Sequence, residues 1–414
     1  MQTNGWFTFV LVTVLALAAL DAVAAWLNLR ALSPRPPEGF ADVVDAESHA
    51  RSRDYTRVST RHHLLEGAVS LALFLGFWWL GGFEWLDRLV RGWGHGPIVT
   101  GVLFTGILFL ANHVAGLPFD LYDTFSIEER FGFNKTTPAV YVTDQVKTLL
   151  LTAVLGVPLL ALLLWIFGRL PHAWLWGWGA VTALSLMLAY VAPTWILPLF
   201  YKFEPLADGE LKTAIEAMSE KCEFPLREVV VMDGSKRSTK SNAFFTGFGR
   251  NKRIALFDTL IENHSTDELV GVLAHEIGHY KRRHVIKGMV LGFLTTGGLF
   301  FLLGRIVNDR GVFDAFGVRE TSVYLSLVFF AILAQPLNRL LNVASNAWSR
   351  RWEFEADAFA AETTGRPEAM ATALKKLSKD NLSNLTPHPF HVFLNHTHPP
   401  VAKRIERLVG KGEG

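Results

Sequence analysis

His275-Glu276-Ile277-Gly278-His279, preceded by Asp267-Glu268-Leu269-Val270-Gly271-Val272-Leu273-Ala274, is the stretch around which the chain is organised. Two histidines four residues apart lie on one helix face about one turn apart, so both imidazoles can reach a single cation. The glutamate beside the first histidine points at whatever that cation holds, and the pattern implies zinc-dependent hydrolysis. The helix has independent support. Ser265 and Glu268 form a capping-box pattern, acidic residues fill the first turn, and Lys281, Arg282 and Arg283 lie at the far end, as the macrodipole prefers.

A five-residue motif is short enough to arise by accident, so a third ligand is the test. A catalytic zinc takes three protein ligands and keeps the fourth position for water. A third histidine six residues after the second is excluded by Val285, and His284, one place short, is rotated off the ligand face. The remaining option is a glutamate on a separate helix. Glu353-Phe354-Glu355-Ala356-Asp357 offers it, with Glu353 and Asp357 again four apart, one to bind metal and one to orient a ligating histidine. Glu353 is preferred to Glu355 because it alone shares a face with Asp357.

Hydrophobic residues make up 50% of the 414, with 13 Trp and 31 Phe, and mean hydropathy is +0.25. That is too apolar for a soluble enzyme of this size and places the chain in a lipid bilayer. A net charge of +2 makes no case for nucleic acid. The one cysteine, Cys222, excludes an intramolecular disulfide and reads as a buried structural thiol rather than a catalytic one.

Seven apolar segments have spanning length: roughly 6–29, 64–83, 98–117, 146–167, 174–199, 286–304 and 323–341. The first lacks a basic leader and a convincing cleavage site and runs too long for a signal peptide, so it reads as a span. Arg30, Arg35, Arg51, Arg53, Arg57 and Arg61 lie between spans one and two, whereas the loop after span two carries Arg88 and Arg91 and that after span four only Arg169. This asymmetry predicts a cytoplasmic first loop and an external N-terminus, with the C-terminus and the loop bearing the histidine pair inside. Asp21, Asn112, His113 and Lys287 lie at or near membrane depth. For His113 an interhelical hydrogen bond and a cavity lining are equally good readings, and Lys287 is near enough to a span end to snorkel.

Between spans three and four, residues 117–135 mix aromatics with charge and are expected to pack rather than swing freely. The long internal loop opens with an amphipathic helix near 210–222 and continues through strands at 229–232, 241–247 and 253–257 before the histidine helix. Such a sheet could receive an extended peptide along its edge, or could simply cover the helix. After span seven, 349–362 is expected to be helical up to Gly365 and Pro367, and a further helix follows to about 385. The tail carries His388, His391, His396 and His398, weak evidence of metal binding by composition alone, and a last helix started by Pro399-Pro400.

These pieces together resemble the type I CAAX prenyl protease family of integral-membrane zinc endopeptidases. The signals are the seven spans, the 117–135 segment, Ser241-Asn242-Ala243-Phe244-Phe245, HEIGH, Arg351-Trp352-Glu353-Phe354-Glu355-Ala356-Asp357-Ala358-Phe359-Ala360, and His398-Pro399-Pro400 with Arg404. The resemblance implies an α-helical polytopic membrane protein whose seven helices form a barrel around a chamber, with a cytoplasmic α+β gluzincin-type protease domain. It implies Glu353 as third ligand, and His398 and Arg404 near the substrate.

The expected chemistry is peptide hydrolysis with one zinc per chain, held by His275, His279 and Glu353, with Asp357 behind a ligand and Glu276 as general base. His398 and Arg404 are the expected donors to the oxyanion, and Asn242, Ala243 and Phe244 the expected substrate-binding stretch. The expected division is a membrane region at 1–200, the protease segment at 201–284, spans six and seven at 285–342 and a C-terminal segment at 343–414. Expected partners are a peptide or protein substrate, with or without a prenyl group, and the lipid bilayer. Compact loops and the lack of a retrieval signal predict a bacterial inner membrane, with the endoplasmic reticulum as the alternative. Two other readings compete: a quality-control protease for membrane proteins with no prenyl requirement, and a seven-span transporter or receptor in which HExxH is accidental.

Overall fold

Long apolar runs become helices here, and the polar stretches between them become short turns or one small sheet. The computed structural model describes residues 1–246 and 252–410. The membrane region consists of α1 (Gly5–Arg30), α2 (Ala46–Trp79), α3 (Gly82–Arg91), α4 (Pro97–Tyr122), α5 (Pro138–Arg169) and α6 (Ala173–Val191). Then come β1 (Phe203–Pro205), α7 (Glu210–Lys221), β2 (Leu226–Met232), β3 (Ala243–Thr246), β4 (Lys252–Phe257), α8 (Asp258–Asn263) and α9 (Thr266–Lys281). The chain returns to apolar helix in α10 (His284–Ile306), α11 (Arg310–Phe316) and α12 (Val323–Leu333), and ends with α13 (Gln335–Thr364), α14 (Pro367–Asp380), α15 (Pro389–Asn395) and α16 (Val401–Val409).

Five helices are long and apolar enough to cross a membrane, and up to seven spans result if each of two bent pairs counts as one. The bends have local causes. α2 and α3 meet at 64° across Gly81, whose φ of 75° suits a residue without Cβ. α12 and α13 meet at 50°, with Pro336 in the first turn of α13, where its missing N–H costs nothing. At 34 residues α2 is about 51 Å long, well beyond a hydrocarbon core of about 30 Å, so its arginine-rich first half projects past the bilayer.

Two helices leave the spans and enter the polar domain directly. α9 runs into α10 through Arg282 and Arg283, and α13, the second limb of the bent last span, continues unbroken from Gln335 to Thr364, so the helix expected at 349–362 is one piece with that limb. The expected boundary at 342/343 therefore falls inside a helix.

The sheet has strand order β1-β2-β4-β3. β2 and β4 are parallel, while β1 and β3 flank them antiparallel. β1 was not anticipated: three residues with a proline carry no periodic signal. Gly247, the last residue of the strand expected at 241–247, lies outside the described residues. Ile254 and Leu256 of β4 point to one face and pack with Ile215 of α7, Leu269, Leu273 and Ile277 of α9, and Ala360 of α13. Cys222 is buried in this core as a thiol against Met218.

A second core, built around Trp78, Phe83, Phe313, Phe316 and Phe329, ties α2, α3, α11 and α12 together. The 117–135 segment packs as expected. After Pro118 the helix widens into a π turn (Asp123–Glu128), and Ile127, Phe131 and Phe133 are buried beside Tyr55 and Leu382. Glu128 accepts a hydrogen bond from Tyr55 and pairs with Lys240, which anchors the approach to β3 against the spans.

Of the polar residues at membrane depth, Asp21 pairs with Arg339 of α13. The His113 ring stacks on Phe109 one turn earlier in α4, with centroids 6.3 Å apart. Lys287 is exposed one turn into α10.

Candidate metal centre

The register of α9 against α13 assembles the centre. The Ser265 side chain accepts from the Glu268 N–H and the Glu268 carboxylate from the Ser265 N–H, so the capping box starts α9 where the spacing predicts. Downstream, Gly278 faces α13: a Cβ there would stand 3.1 Å from Ala356 Cα and 3.2 Å from its carbonyl oxygen. That contact lets the two helix backbones approach closely enough for Glu353 to reach both histidines. Gly278→Val is expected to separate them, lowering stability by about 1–3 kcal/mol and costing the metal. Thermal unfolding and metal content of the purified variant check this, and retention of both would remove Gly278 from the account.

His275, His279 and Glu353 offer ligand atoms that all lie within 4.8 Å of one another. The two Nε2 atoms are 3.1 Å apart, and Glu353 lies 3.6 Å from His275 Nε2 through Oε2 and 3.3 Å from His279 Nε2 through Oε1. A tetrahedral zinc with Zn–N of about 2.0–2.1 Å separates two ligand nitrogens by about 3.3 Å, so the donor set fits that metal. His275 donates from Nδ1 to Asp357 at 2.8 Å, which leaves Nε2 as its free donor atom. Burial pushes the His275 imidazole down, but the hydrogen bond with Asp357 and the nearby Glu353 carboxylate outweigh this and carry it up to about 9. A cation entering the site therefore displaces a proton. Burial likewise raises Glu353, but the two histidines and the Arg404 charge prevail and hold its carboxyl well below the usual range.

Glu276, Asn242, Ala243, His398 and Arg404 line a cavity of about 170 Å³ with His275 and Glu353, floored by Leu260, Val272 and Met370. Removal from water raises the Glu276 carboxyl above its ordinary range. Arg404 does not stand free in this cavity. It is 6% exposed, donates from Nε and Nη2 to the two oxygens of Asp357 at 2.8 and 2.6 Å, and places Nη1 3.2 Å from Glu353 Oε2. All three nitrogens face carboxylates, which gives the guanidinium a structural task beside the oxyanion role expected of it. His398 differs. Its side chain is 62% exposed, with Nε2 3.4 Å from Glu353 Oε1. Of the other tail histidines, His388 caps α15 and the rings of His391 and His396 meet edge to face.

The expected substrate stretch, Asn242, Ala243 and Phe244, leads into and begins β3. The Asn242 carbonyl accepts from Phe257 N at 3.1 Å, and with Ala243 opposite Leu256 and Phe244 opposite Ala255, alternation spends the main-chain groups of Phe244 on β4. Its ring turns to the far face of the sheet and lines a separate groove of about 430 Å³ with Tyr201 and Val230. Ala243 and Phe245 are the residues whose N–H and C=O point to the open edge. Phe245 stands on the same edge as Ala243, as the period-2 alternation of a strand requires. Two further neighbours of the ligands were not anticipated in that role. His284 Nδ1 lies 3.1 Å from His279 Nδ1, and His284 Nε2 lies 3.1 Å from Glu355.

Two family models cover nearly the whole chain: the CAAX prenyl protease N-terminal region with five membrane helices over residues 26–202, and peptidase family M48 over residues 205–411. This chain belongs to the M48 CAAX prenyl protease family. Named relatives include a CAAX prenyl protease 1 homolog of Oryza sativa subsp. japonica, 36% identical over 91% of this chain and 90% of that protein. CAAX prenyl protease 1 of Saccharomyces cerevisiae is 33% identical over 90% of this chain and 88% of its own. The crystal structure of S. mikatae Ste24p superposes with a TM-score of 0.92 at 30% identity, covering 99% of this chain and 100% of that one. As a member of this family the chain is a multi-pass membrane protein and a metallopeptidase of a zinc-dependent family, so the transporter or receptor reading falls. These named relatives are eukaryotic and lend no support to the bacterial origin expected from the compact loops.

Proposed function

We propose that the chain binds one zinc through His275, His279 and Glu353 and cleaves a peptide bond in a substrate held extended along the open edge of β3. The observation that carries this reading is the convergence of two Nε2 atoms and a buried carboxylate at the wall of the cavity that Glu276 and Asn242 also line. When bound, zinc supplies Lewis-acid activation of a water and of the scissile carbonyl.

The chain's own groups do the rest. Glu276 accepts the proton of the attacking water and returns it to the leaving amine, a role suited to a carboxylate that burial raises above its ordinary range. Main-chain groups of Ala243 and Phe245 hold the peptide in register. The Ala243 N–H meanwhile donates to the Asn242 side chain at 2.8 Å, leaving the amide of Asn242 to turn to substrate when the strand is joined. His398, accessible at the cavity mouth, donates to the oxyanion. Arg404 holds Asp357 and Glu353 in place.

The finer architecture belongs to the same reading. Seven spans enclose a chamber, the five long apolar helices and the two bent pairs supplying them. The membrane region at 1–200 carries the protease segment at 201–284, spans six and seven at 285–342 and the C-terminal segment at 343–414. The arginine asymmetry supports a cytoplasmic catalytic domain and an external N-terminus. Cysteine labelling of intact membrane vesicles is expected to place Ser235 inside and Gly94 outside, and external reaction at Ser235 would reverse the orientation.

The substrate is expected to be recognised mainly through its backbone, with a prenyl group assisting rather than required, because the contacts available at β3 are main-chain ones. Incubating the purified protein with a farnesylated peptide and its unmodified twin tests this. Cleavage of both is expected, faster for the lipidated one. A plain peptide that is never cut would make the lipid essential and set aside the quality-control alternative.

A further inference from the structure

We propose that His284 is a positioning residue for the metal centre: it accepts the Nδ1 proton of His279 and passes the orientation on to Glu355. The inference rests on His275, His279 and Glu353 being the metal ligands. It assigns work to two residues outside that set.

The proton positions follow from geometry. His279 Nε2 faces His275 Nε2 at 3.1 Å and Glu353 Oε1 at 3.3 Å, so it is the atom offered to a cation and carries no proton when it ligates. A neutral imidazole then holds its proton on Nδ1. Nδ1 lies 3.1 Å from Nδ1 of His284, and two facing imidazole nitrogens bond only when one of them is bare. His284 must accept there and keep its own proton on Nε2, which is 3.1 Å from Glu355 Oε2. The other Glu355 oxygen receives Arg351 Nε at 3.2 Å. Hydrogen bonds thus run in one direction, from His279 through His284 to Glu355, and no other arrangement of two neutral rings satisfies both contacts.

The two ligand histidines are held by different means. Asp357 accepts a hydrogen bond from His275 Nδ1 directly. His279 sits one turn later, near the end of α9, where the partner comes from the chain itself doubling back. Arg283 adopts φ 57°, a left-handed value uncommon for a residue with a side chain. That turn starts α10 with His284 folded against a ring five residues behind it. His284 is 2% exposed and its ring stacks on Trp352, 5.1 Å away and tilted by 8°, so its face is fixed as well as its edge. A partner that fixes tautomer and ring orientation typically accounts for about 10–100-fold in metal affinity.

The test separates the hydrogen bond from the packing. In the full-length purified protein, His284→Phe keeps a ring against Trp352 but removes the acceptor, while His284→Asn restores an acceptor near the Nδ1 position. Zinc affinity is read by competition with a chromophoric chelator, and ligand geometry by the visible spectrum of the Co²⁺-substituted protein. His284→Phe is expected to bind zinc about 10–100-fold more weakly with an altered Co²⁺ spectrum, and His284→Asn to recover most of the loss. Glu355→Ala, a change at a partly exposed position, is expected to weaken binding in the same direction but less. Wild-type affinity and spectrum in both His284→Phe and Glu355→Ala would overturn the role of His284 and leave the centre intact. Wild-type protein that takes up no metal would instead overturn the ligand set, and this inference with it.

Discussion

Glu276→Gln is expected to purify with about one zinc per chain and to lose roughly 10²–10⁴-fold in turnover. The substitution keeps size and hydrogen bonding and removes only the base. Glu353→Ala, His275→Ala and His279→Ala are expected to lose the metal itself, since each deletes one of three ligands. Glu355→Ala provides the contrast. Its carboxylate contacts His284 and Arg351 rather than the Nε2 atoms, so it should retain stoichiometric zinc at weakened affinity. Metal analysis of the purified variants alongside peptide cleavage decides the matter. Zinc retained in Glu353→Ala and absent from Glu355→Ala would exchange the two carboxylates.

Arg404→Ala should behave differently from His398→Ala, although both residues were first expected to meet the oxyanion. Arg404 is buried and spends its guanidinium on Asp357 and Glu353. Removing it leaves two buried carboxylates short of a cation, a change that costs about 3–5 kcal/mol where one partner of a buried pair is deleted. Asp357 then loses its orientation and with it the grip on His275, so zinc affinity is expected to fall by about 10–100-fold together with turnover. His398→Ala should keep zinc and lose turnover by about 10²–10³-fold, equally for farnesylated and plain peptides, because its donor acts on a transition state common to both. Chelator competition and cleavage of both peptides separate the cases. An Arg404→Ala protein with wild-type zinc affinity and only slower turnover would return the arginine to the oxyanion.

What could be read from the residues alone was set by local spacing. The four-residue interval in HEIGH, the Ser265 and Glu268 cap, the Glu353 and Asp357 pair and the apolar runs are short-range patterns, and each survives folding because helix geometry repeats within a turn or two. The preference for Glu353 over Glu355 followed from the same periodicity. Tertiary structure decided the rest, where partners are far apart in sequence and chosen by packing. Arg404 lies 47 residues from Asp357 and 129 from His275, and only the docking of α16 beside α13 shows that the guanidinium closes on carboxylates at the cavity wall. Phe244 looked like part of the substrate stretch until pairing with β4 assigned its ring to the far face and the open edge to Ala243 and Phe245. Spacing alone places His284 off the ligand face of α9. Its contact with His279 depends on a left-handed turn at Arg283, a backbone choice that no side-chain periodicity encodes.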